Sequence, residues 1–462
     1  MDDPIAAIAT FPAESAIGVI RVSGADIFPC LEKICRFKNK SKNFENIPSQ
    51  SVSLCTLEDS GRIIDEAMVS VYRAPDSYTG EDMAEISCHG NPYILYKVMN
   101  CLIEAGVKIA EPGEFTKRAF LNGKMDLSQA EAVLDVVSAR SDDSLSISLN
   151  QLLGKEKNII RNLKNRIIDV LSKLEVEIDF AYEDVEKTPA QEIKKSLAAV
   201  SAEIEKLIEN ADKGILLKNG IKLVITGKPN SGKSSLLNCL LKKDRAIVTR
   251  IPGTTRDIIE DALDIDGLPF RIFDTAGIRK TKNRIEAEGV KRARSALREA
   301  DIVVFMADGS KKLTREDSVL YNEIKNKKHV IAVNKSDLKP AFGNDALKNR
   351  LKPGKFKAGM VHISVLKKKG INDLTKAVKN IIIDTVDTKD EGVVVASLRH
   401  KNALISAAKS LHNASKAVAR GLSHEFIASD VRDAAGAIGS IIGGVTADDI
   451  LVNIFKNFCI GK

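Results

Sequence analysis

Nine consecutive residues, Gly227-Lys228-Pro229-Asn230-Ser231-Gly232-Lys233-Ser234-Ser235, fit the pattern G-x-x-x-x-G-K-[ST]. Glycines at these positions let backbone N–H groups turn inward onto phosphate oxygens, and a helix starting there adds its partial positive charge. The Lys233 ammonium would reach the β- and γ-phosphates, and the Ser234 hydroxyl would bind Mg²⁺. Such a loop works only between a strand and a helix. Ile221-Lys222-Leu223-Val224-Ile225-Thr226 reads as a short buried strand, and Leu236 to Leu241 continues as a helix.

Downstream, Phe270-Arg271-Ile272-Phe273 reads as a strand that ends in Asp274-Thr275-Ala276-Gly277. A carboxylate at that strand end can hold Mg²⁺ through water, and the Gly277 N–H can meet a γ-phosphate and sense its loss. Between the two motifs, Gly253-Thr254-Thr255-Arg256-Asp257 offers a threonine hydroxyl, Thr255, to complete the Mg²⁺ shell.

The strand His329 to Val333 leads into Asn334-Lys335-Ser336-Asp337. A carboxylate at Asp337 can accept hydrogen bonds from the N1–H and 2-amino group of guanine; adenine has no such donor pair, so the expected ligand is GTP and not ATP. A further guanine-side element is expected at Ser364-Val365-Leu366, after the strand Val361 to Ile363; Ser364 fits a Ser-Ala-Lys-like pattern and Val365 departs from it.

Ile278 follows Gly277, where a glutamine would orient the attacking water. Help has to come from elsewhere. One source is a cation held by Asn230 and the carbonyls around Thr249 to Thr254. Another is a carboxylate from the next segment, Glu286 or Glu288.

These motifs need elements to carry them. Residues 218–380 alternate strands and helices, as an α/β nucleotide-binding domain should. Residues 1–120 alternate short strands (Ile17 to Val22, Glu66 to Tyr72) with turns and a helix from Ile94 to Ala105, which indicates a small α+β domain; Lys38 to Asn43 reads as an exposed loop. Apolar residues fall at helical spacing over 121–217, with a break near Thr188-Pro189, and again over 381–462. The expected architecture is therefore a multidomain α/β and α chain, its Ras-like P-loop domain inserted between the two segments of a helical domain.

Composition narrows the setting. The chain has 462 residues, seven scattered cysteines and no C-x-x-C pair, which suits reduced thiols in a cytosol. Its start, Met1-Asp2-Asp3-Pro4, is acidic where a secretory signal is basic, and apolar runs such as Ile302 to Ala307 are too short to span a bilayer. A cytoplasmic protein with no membrane partner is expected. The net charge of +8 permits an RNA partner without demonstrating one, and the absence of Trp argues against a stacking platform for single strands.

Further motifs carry a resemblance. Thr79-Gly80-Glu81-Asp82, the run from Glu111-Pro112-Gly113-Glu114-Phe115-Thr116 to Leu121-Asn122-Gly123-Lys124, and the ending Cys459-Ile460-Gly461-Lys462 accompany the nucleotide motifs. Together they resemble, over the whole chain, the tRNA uridine-5-carboxymethylaminomethyl modification GTPases, the MnmE/TrmE family. The resemblance implies a homodimer formed through an N-terminal domain that binds 5-formyl- or 5,10-methylene-tetrahydrofolate, with Arg21, Glu81, Lys124 and Lys462 lining the folate site. It implies K⁺ at Asn230, Thr249, Ile251 and Thr254 in place of an arginine finger, Mg²⁺ at Ser234 and Thr255, and Glu286 as catalytic residue beside Lys233. The implied GTP contacts are Asn230, Ser231, Gly232, Lys233, Ser234, Ser235, Thr249, Arg250, Ile251, Pro252, Gly253, Thr254, Thr255, Asp274, Thr275, Ala276, Gly277, Asn334, Lys335, Asp337 and Ser364. It further implies tRNA and a flavin-dependent partner subunit, joined in a heterotetramer that modifies C5 of the wobble uridine.

A ribosome-assembly GTPase would share the nucleotide motifs, but it leaves the Pro-Gly-Glu-Phe-Thr segment and the C-terminal tetrapeptide unexplained. A dynamin-like membrane switch lacks a basic amphipathic anchor. Cys459 is not a prenylation box, because Gly461 is not aliphatic. Gly436-Ala437-Ile438-Gly439 has the spacing of a KH loop without its basic residues and reads as a helix-packing contact.

Overall fold

A computed structural model describes residues 3–39, 41–139, 141–180, 188–243, 260–265, 268–274, 295–351, 359–383, 395–444, 451, 454–456, 458 and 461–462. The chain divides into two compact units, residues 1–134 with 151–198 and 409–462, and residues 135–150 with 199–408.

The first unit contains a seven-stranded sheet of β1 (Ile5–Ile8), β2 (Ser15–Ser23), β3 (Cys35–Phe37), β4 (Ser51–Asp59), β5 (Arg62–Tyr72), β6 (Met83–Gly90) and β7 (Lys108–Ile109), in the order β3-β4-β5-β6-β2-β1-β7. All neighbours are antiparallel except β1 and β7. Alternation puts Ile20, Val22, Leu57, Val69, Val71 and Ile86 on one face, where α1 (Ile27–Ile34) and α2 (Pro92–Glu104) cover them with Leu31, Leu95, Val98 and Leu102. Asn91 starts α2: its side chain accepts the Tyr93 N–H at 2.8 Å, and Pro92 takes the first helical position, where a missing N–H costs nothing. Helix α3 (Glu114–Leu121) follows β7 and buries Phe115, Thr116 and Arg118. The expected strands at 17–22 and 66–72 lie within β2 and β5, and the expected helix at 94–105 coincides with α2 except that α2 starts two residues earlier and Ala105 is its C-cap.

Helices α4 (Leu127–Ser138), α5 (Asp142–Leu152), α6 (Lys155–Asp179) and α7 (Ala190–Asn219) then run in succession. The break expected near Thr188-Pro189 falls between α6 and α7.

The second unit contains a six-stranded sheet of β8 (Ile221–Gly227), β9 (Glu260–Ile265), β10 (Leu268–Asp274), β11 (Ile302–Asp308), β12 (His329–Asn334) and β13 (Gly359–His362), ordered β13-β12-β11-β8-β10-β9. Every pairing but β9–β10 is parallel. Parallel strands covered on both faces read as continuous apolar runs, and Ile302 to Ala307 is buried throughout for that reason. Leu236 and Leu240 of α8 (Lys233–Lys243) pack on one face; Tyr321 and Ile324 of α9 (Arg315–Ile324) and Leu347 and Leu351 of α10 (Asn344–Leu351) pack on the other. Helix α11 (Ile371–Ile383) joins the first layer through Leu374 and Val378. Because β8, β11, β12 and β13 are parallel neighbours, the loops that leave their carboxyl ends gather along one edge of the sheet, where open α/β sheets bind ligands.

Helix α12 (Leu398–Ala419) precedes α13 (His424–Ile441). Helix α13 packs against α6, with small Ala428, Ala434 and Ala435 beside Ile427, Val431 and Ile438 on its buried face. Gly439 belongs to this packing: the Lys164 side chain of α6 lies 3.3 Å from where a Cβ would stand. The helix-packing reading of the Gly436–Gly439 segment agrees with this. Among the described residues, no helix is long and apolar enough to cross a membrane.

Candidate functional site

Strand β8 ends where the phosphate-binding motif begins, and α8 starts at Lys233, so the strand–loop–helix context is present. The backbone conformation requires the glycines. Gly227 has φ +146°, and a Cβ there would stand 2.3 Å from the Met306 carbonyl oxygen; Gly232 has φ +104°, and its Cβ would stand 2.2 Å from Asn334 Nδ2. Asn230 also takes positive φ, at 63°, which asparagine tolerates better than most residues. The Lys233 ammonium donates to the carbonyls of Gly227 (2.8 Å) and Lys228 (2.7 Å). Ser234 and Ser235 are exposed on the first turn of α8.

Asn334 joins two loops. Its Nδ2 donates to the Ser231 carbonyl at 2.8 Å, and its Oδ1 accepts the Val365 N–H at 3.2 Å. Next along, the Ser364 hydroxyl donates to Asp337 Oδ1 at 2.5 Å, and the Lys367 N–H donates back to the Ser364 hydroxyl at 3.1 Å. The Ser364 hydrogen bond holds the exposed Asp337 carboxyl below the usual carboxylate range. Lys335, at φ +65°, reaches Asp308 at 2.7 Å; burial opposes ionisation of Asp308, but Lys335 and Ser310 outweigh it and keep its pKa low. A cavity of about 1010 Å³ opens here, lined by Asn230, Gly232, Ser235, Asn334, Lys335 and Asp337, together with Leu338 and Leu366. Leu366 belongs to the expected guanine-side element, whereas Leu338 belongs to none of the expected motifs and is marked only by its placement beside the cavity.

Ser231 behaves differently from its neighbours. Its hydroxyl is buried and takes no hydrogen-bond partner among the described residues, while its carbonyl serves Asn334. Its contribution to the loop is thus made by the backbone. Ser231→Ala is expected to leave nucleotide affinity within about twofold of the parent and to keep or raise stability by up to about 1 kcal/mol, since it removes an unpaired buried hydroxyl. Isothermal calorimetry and thermal unfolding check this; a large loss of affinity would show that the hydroxyl itself meets the ligand.

Asp274 closes β10, its backbone in register with Ile225 of β8, so the strand end lies beside the start of the phosphate loop. Thr249, Arg250, Ile251, Pro252, Gly253, Thr254, Thr255, Thr275, Ala276, Gly277, Glu286 and Cys459 lie outside the described residues, as do Ile278 and Glu288.

In the first unit, a second group of the expected residues meets. Arg21 on β2 pairs with Glu85, its register partner on β6, at 2.8 Å, and donates to the Gly461 carbonyl at 3.2 Å. Its guanidinium stands 5.3 Å from the Tyr78 ring and 5.7 Å from the Phe115 ring, within cation–π range. Gly461 has φ +94° and lies so close to β1 that a Cβ would stand 2.9 Å from the Ile8 carbonyl, which brings the end of the chain to Arg21. Arg21, Glu85, Lys124, Tyr78, Asp76 and Gln50 line an open depression of about 470 Å³. Lys124 donates to the Pro75 carbonyl at 2.8 Å. The Thr79-Gly80 turn packs on the Asn122–Lys124 segment, since a Cβ on Gly80 would stand 3.1 Å from Asn122 and 3.2 Å from Lys124, and Asn122 donates to the Thr79 carbonyl at 2.8 Å.

The Glu81 carboxylate accepts from Ser23 (2.9 Å) and from the buried Arg118 (3.2 Å), which also binds Glu114 (2.8 Å). Glu85, which carried no motif, lines the depression. Its signal was a carboxylate opposite Arg21 across two strands, legible only once the β2–β6 register is known.

Comparison with known proteins finds relatives over the whole chain. A profile described as the MnmE helical domain matches residues 127–459, and one described as the GTP-binding protein TrmE N-terminus matches residues 4–124. The tRNA modification GTPase MnmE of Clostridioides difficile (strain 630) is 40% identical over 463 residues, covering 100% of both chains. That of Aquifex aeolicus (strain VF5) is also 40% identical over 463 residues with 100% of both covered, and that of Alkaliphilus oremlandii (strain OhILAs) is 38% identical over 465 residues with the same coverage.

Proposed function

The chain belongs to the tRNA modification GTPase MnmE family, and from that membership we propose that it hydrolyses GTP to drive modification of tRNA at C5 of the wobble uridine. The group added is carboxymethylaminomethyl or aminomethyl. A flavin-dependent partner subunit shares the reaction, and a reduced folate supplies the one-carbon unit.

The observation that carries the reading is Asn334, which ties the phosphate loop at Ser231 to the guanine-side loop at Val365 and so holds phosphate and base recognition in one frame. Asp337 accepts the two guanine donors. Lys233, now resting on the Gly227 and Lys228 carbonyls, exchanges those contacts for the β- and γ-phosphates, and the Ser231 to Ser235 amides face the phosphate oxygens. The hard oxygen donors of Ser234 and Thr255 suit Mg²⁺, which spreads the charge that develops on the phosphates. Asn230, with its positive φ and its place on the cavity wall, joins the Thr249, Ile251 and Thr254 carbonyls in a K⁺ site, and Glu286 orients the attacking water. Arg21, Lys124 and Lys462 hold the folate in the depression of the first unit, where the Arg21 guanidinium and the Tyr78 ring suit a flat, anionic ligand. Glu81 shapes that site through Arg118 and Ser23. The protein works as a cytoplasmic homodimer.

Nucleoside mass spectrometry of tRNA from cells lacking the protein tests the function: the modified wobble uridine is expected to vanish and to return with the parent gene. In the purified chain, GTP turnover in KCl is expected to exceed that in NaCl. Unchanged wobble uridine would remove the tRNA assignment; equal turnover in the two salts would remove the cation.

A further inference from the structure

Lys228, the residue after Gly227, makes a contact that phosphate binding does not call for. Its carbonyl is one of the two that hold the Lys233 ammonium, at 2.7 Å. Its own ammonium pairs with Asp317 Oδ2 at 2.7 Å and donates to the Thr314 hydroxyl at 3.0 Å.

Asp317 is only 2% exposed. The same carboxylate oxygen also accepts the Thr314 N–H at 2.7 Å, so it caps α9 and receives the phosphate loop at once. Helix α9 is a firm anchor. Tyr321 is fully buried against Phe305 of β11, with ring centroids 5.5 Å apart, and its hydroxyl meets His329 Nε2 at 2.8 Å. The loop is thus tied by a side chain to a helix packed on the sheet, 89 residues later in the chain.

We propose that Lys228 is a positioning residue of the nucleotide site: its ion pair with Asp317 sets the backbone between Gly227 and Asn230, and with it the carbonyl that holds Lys233 and the amides that meet phosphate. The proposal rests on the reading of this loop as the GTP site. It differs from the simpler idea that Lys228 attracts phosphate by its charge. On that idea, neutralising Asp317 would free the ammonium and leave affinity unchanged or better. On the positioning idea, losing either partner loosens the same backbone, so Lys228→Met and Asp317→Asn weaken binding alike and the double variant is no worse than either one.

The test uses the full chain and a fluorescent GDP analogue. Lys228→Met and Asp317→Asn are each expected to raise its Kd about tenfold, with Lys228→Arg within about threefold of the parent because the guanidinium keeps the charge and the reach. Ile324→Val is the control for stability. It removes a buried methyl group from the core face of α9 and lowers the unfolding temperature, yet leaves Lys228, Thr314 and Asp317 in place, so its Kd is expected to stay within about twofold. Parent-like affinity in Lys228→Met, improved affinity in Asp317→Asn, or a tenfold loss in Ile324→Val would each overturn the positioning role. A parent chain that bound no guanine nucleotide would instead sink the GTP reading beneath it.

Discussion

Asp337→Asn is expected to exchange the chain's preference for guanosine nucleotides for one for xanthosine nucleotides. The Ser364 hydroxyl, 2.5 Å from Oδ1, keeps Asp337 ionised, and an ionised carboxylate only accepts hydrogen bonds. Guanine offers it two donors, N1–H and the 2-amino group. Asparagine would turn an amide N–H toward one of them, so two charge-assisted bonds are lost and a donor–donor contact appears. At about 1.5–3 kcal/mol for each hydrogen bond to a charged group, the GDP affinity falls by about 10²–10⁴-fold. Xanthine has a carbonyl where guanine has its amino group, and the asparagine amide matches it, so XDP affinity rises. Competition of GDP and XDP against a fluorescent nucleotide measures both. A variant that still preferred GDP would remove Asp337 from base recognition. The pH dependence has a defined sign. The folded-state pKa lies below the ordinary 3.8, so recognition by this carboxylate is fully present above that value and is lost as pH falls through the lowered one.

The second large effect is expected at Lys233. Lys233→Ala removes the one ammonium that the two loop carbonyls hold at the start of α8, where the helix end and the loop amides already favour negative charge. Stabilisation of developing charge in a water-poor site makes a contact of this kind worth about 10²–10³ in kcat. Because the lysine also meets phosphate in the ground state, GTP affinity falls as well. Glu286→Ala is the comparison: GTP binds as in the parent, and only turnover slows. Single-turnover hydrolysis together with calorimetric Kd separates the two. Parent-like turnover in Lys233→Ala would contradict the assignment of this loop to phosphate, and parent-like turnover in Glu286→Ala would return that residue to the surface.

Much of the second unit was legible because its chemistry is local. A loop that binds phosphate needs glycine where the backbone turns back on itself, lysine at its end and a hydroxyl after it, all within nine residues of chain. Apolar runs such as Ile302 to Ala307 announce strands covered on both faces, and in the first unit helical spacing announces α6 in the same way. Motif, strand and helix are properties of neighbouring residues, so Gly227 to Ser235, Asn334 to Asp337 and the strands before them could be placed from the sequence.

Tertiary structure alone decided the partners. Arg21 meets the carbonyl of Gly461, 440 residues away, and Lys228 meets Asp317 because β11 lies beside β8 and its following helix packs beneath the loop. The fold gives the Glu81 carboxylate to the buried Arg118, and Glu85 takes the place beside Arg21 through the β2–β6 register. Local propensity determines which elements form and which residues they carry. Which side chains then share a charge depends on strand order and register, and these follow from burying many distant surfaces at once.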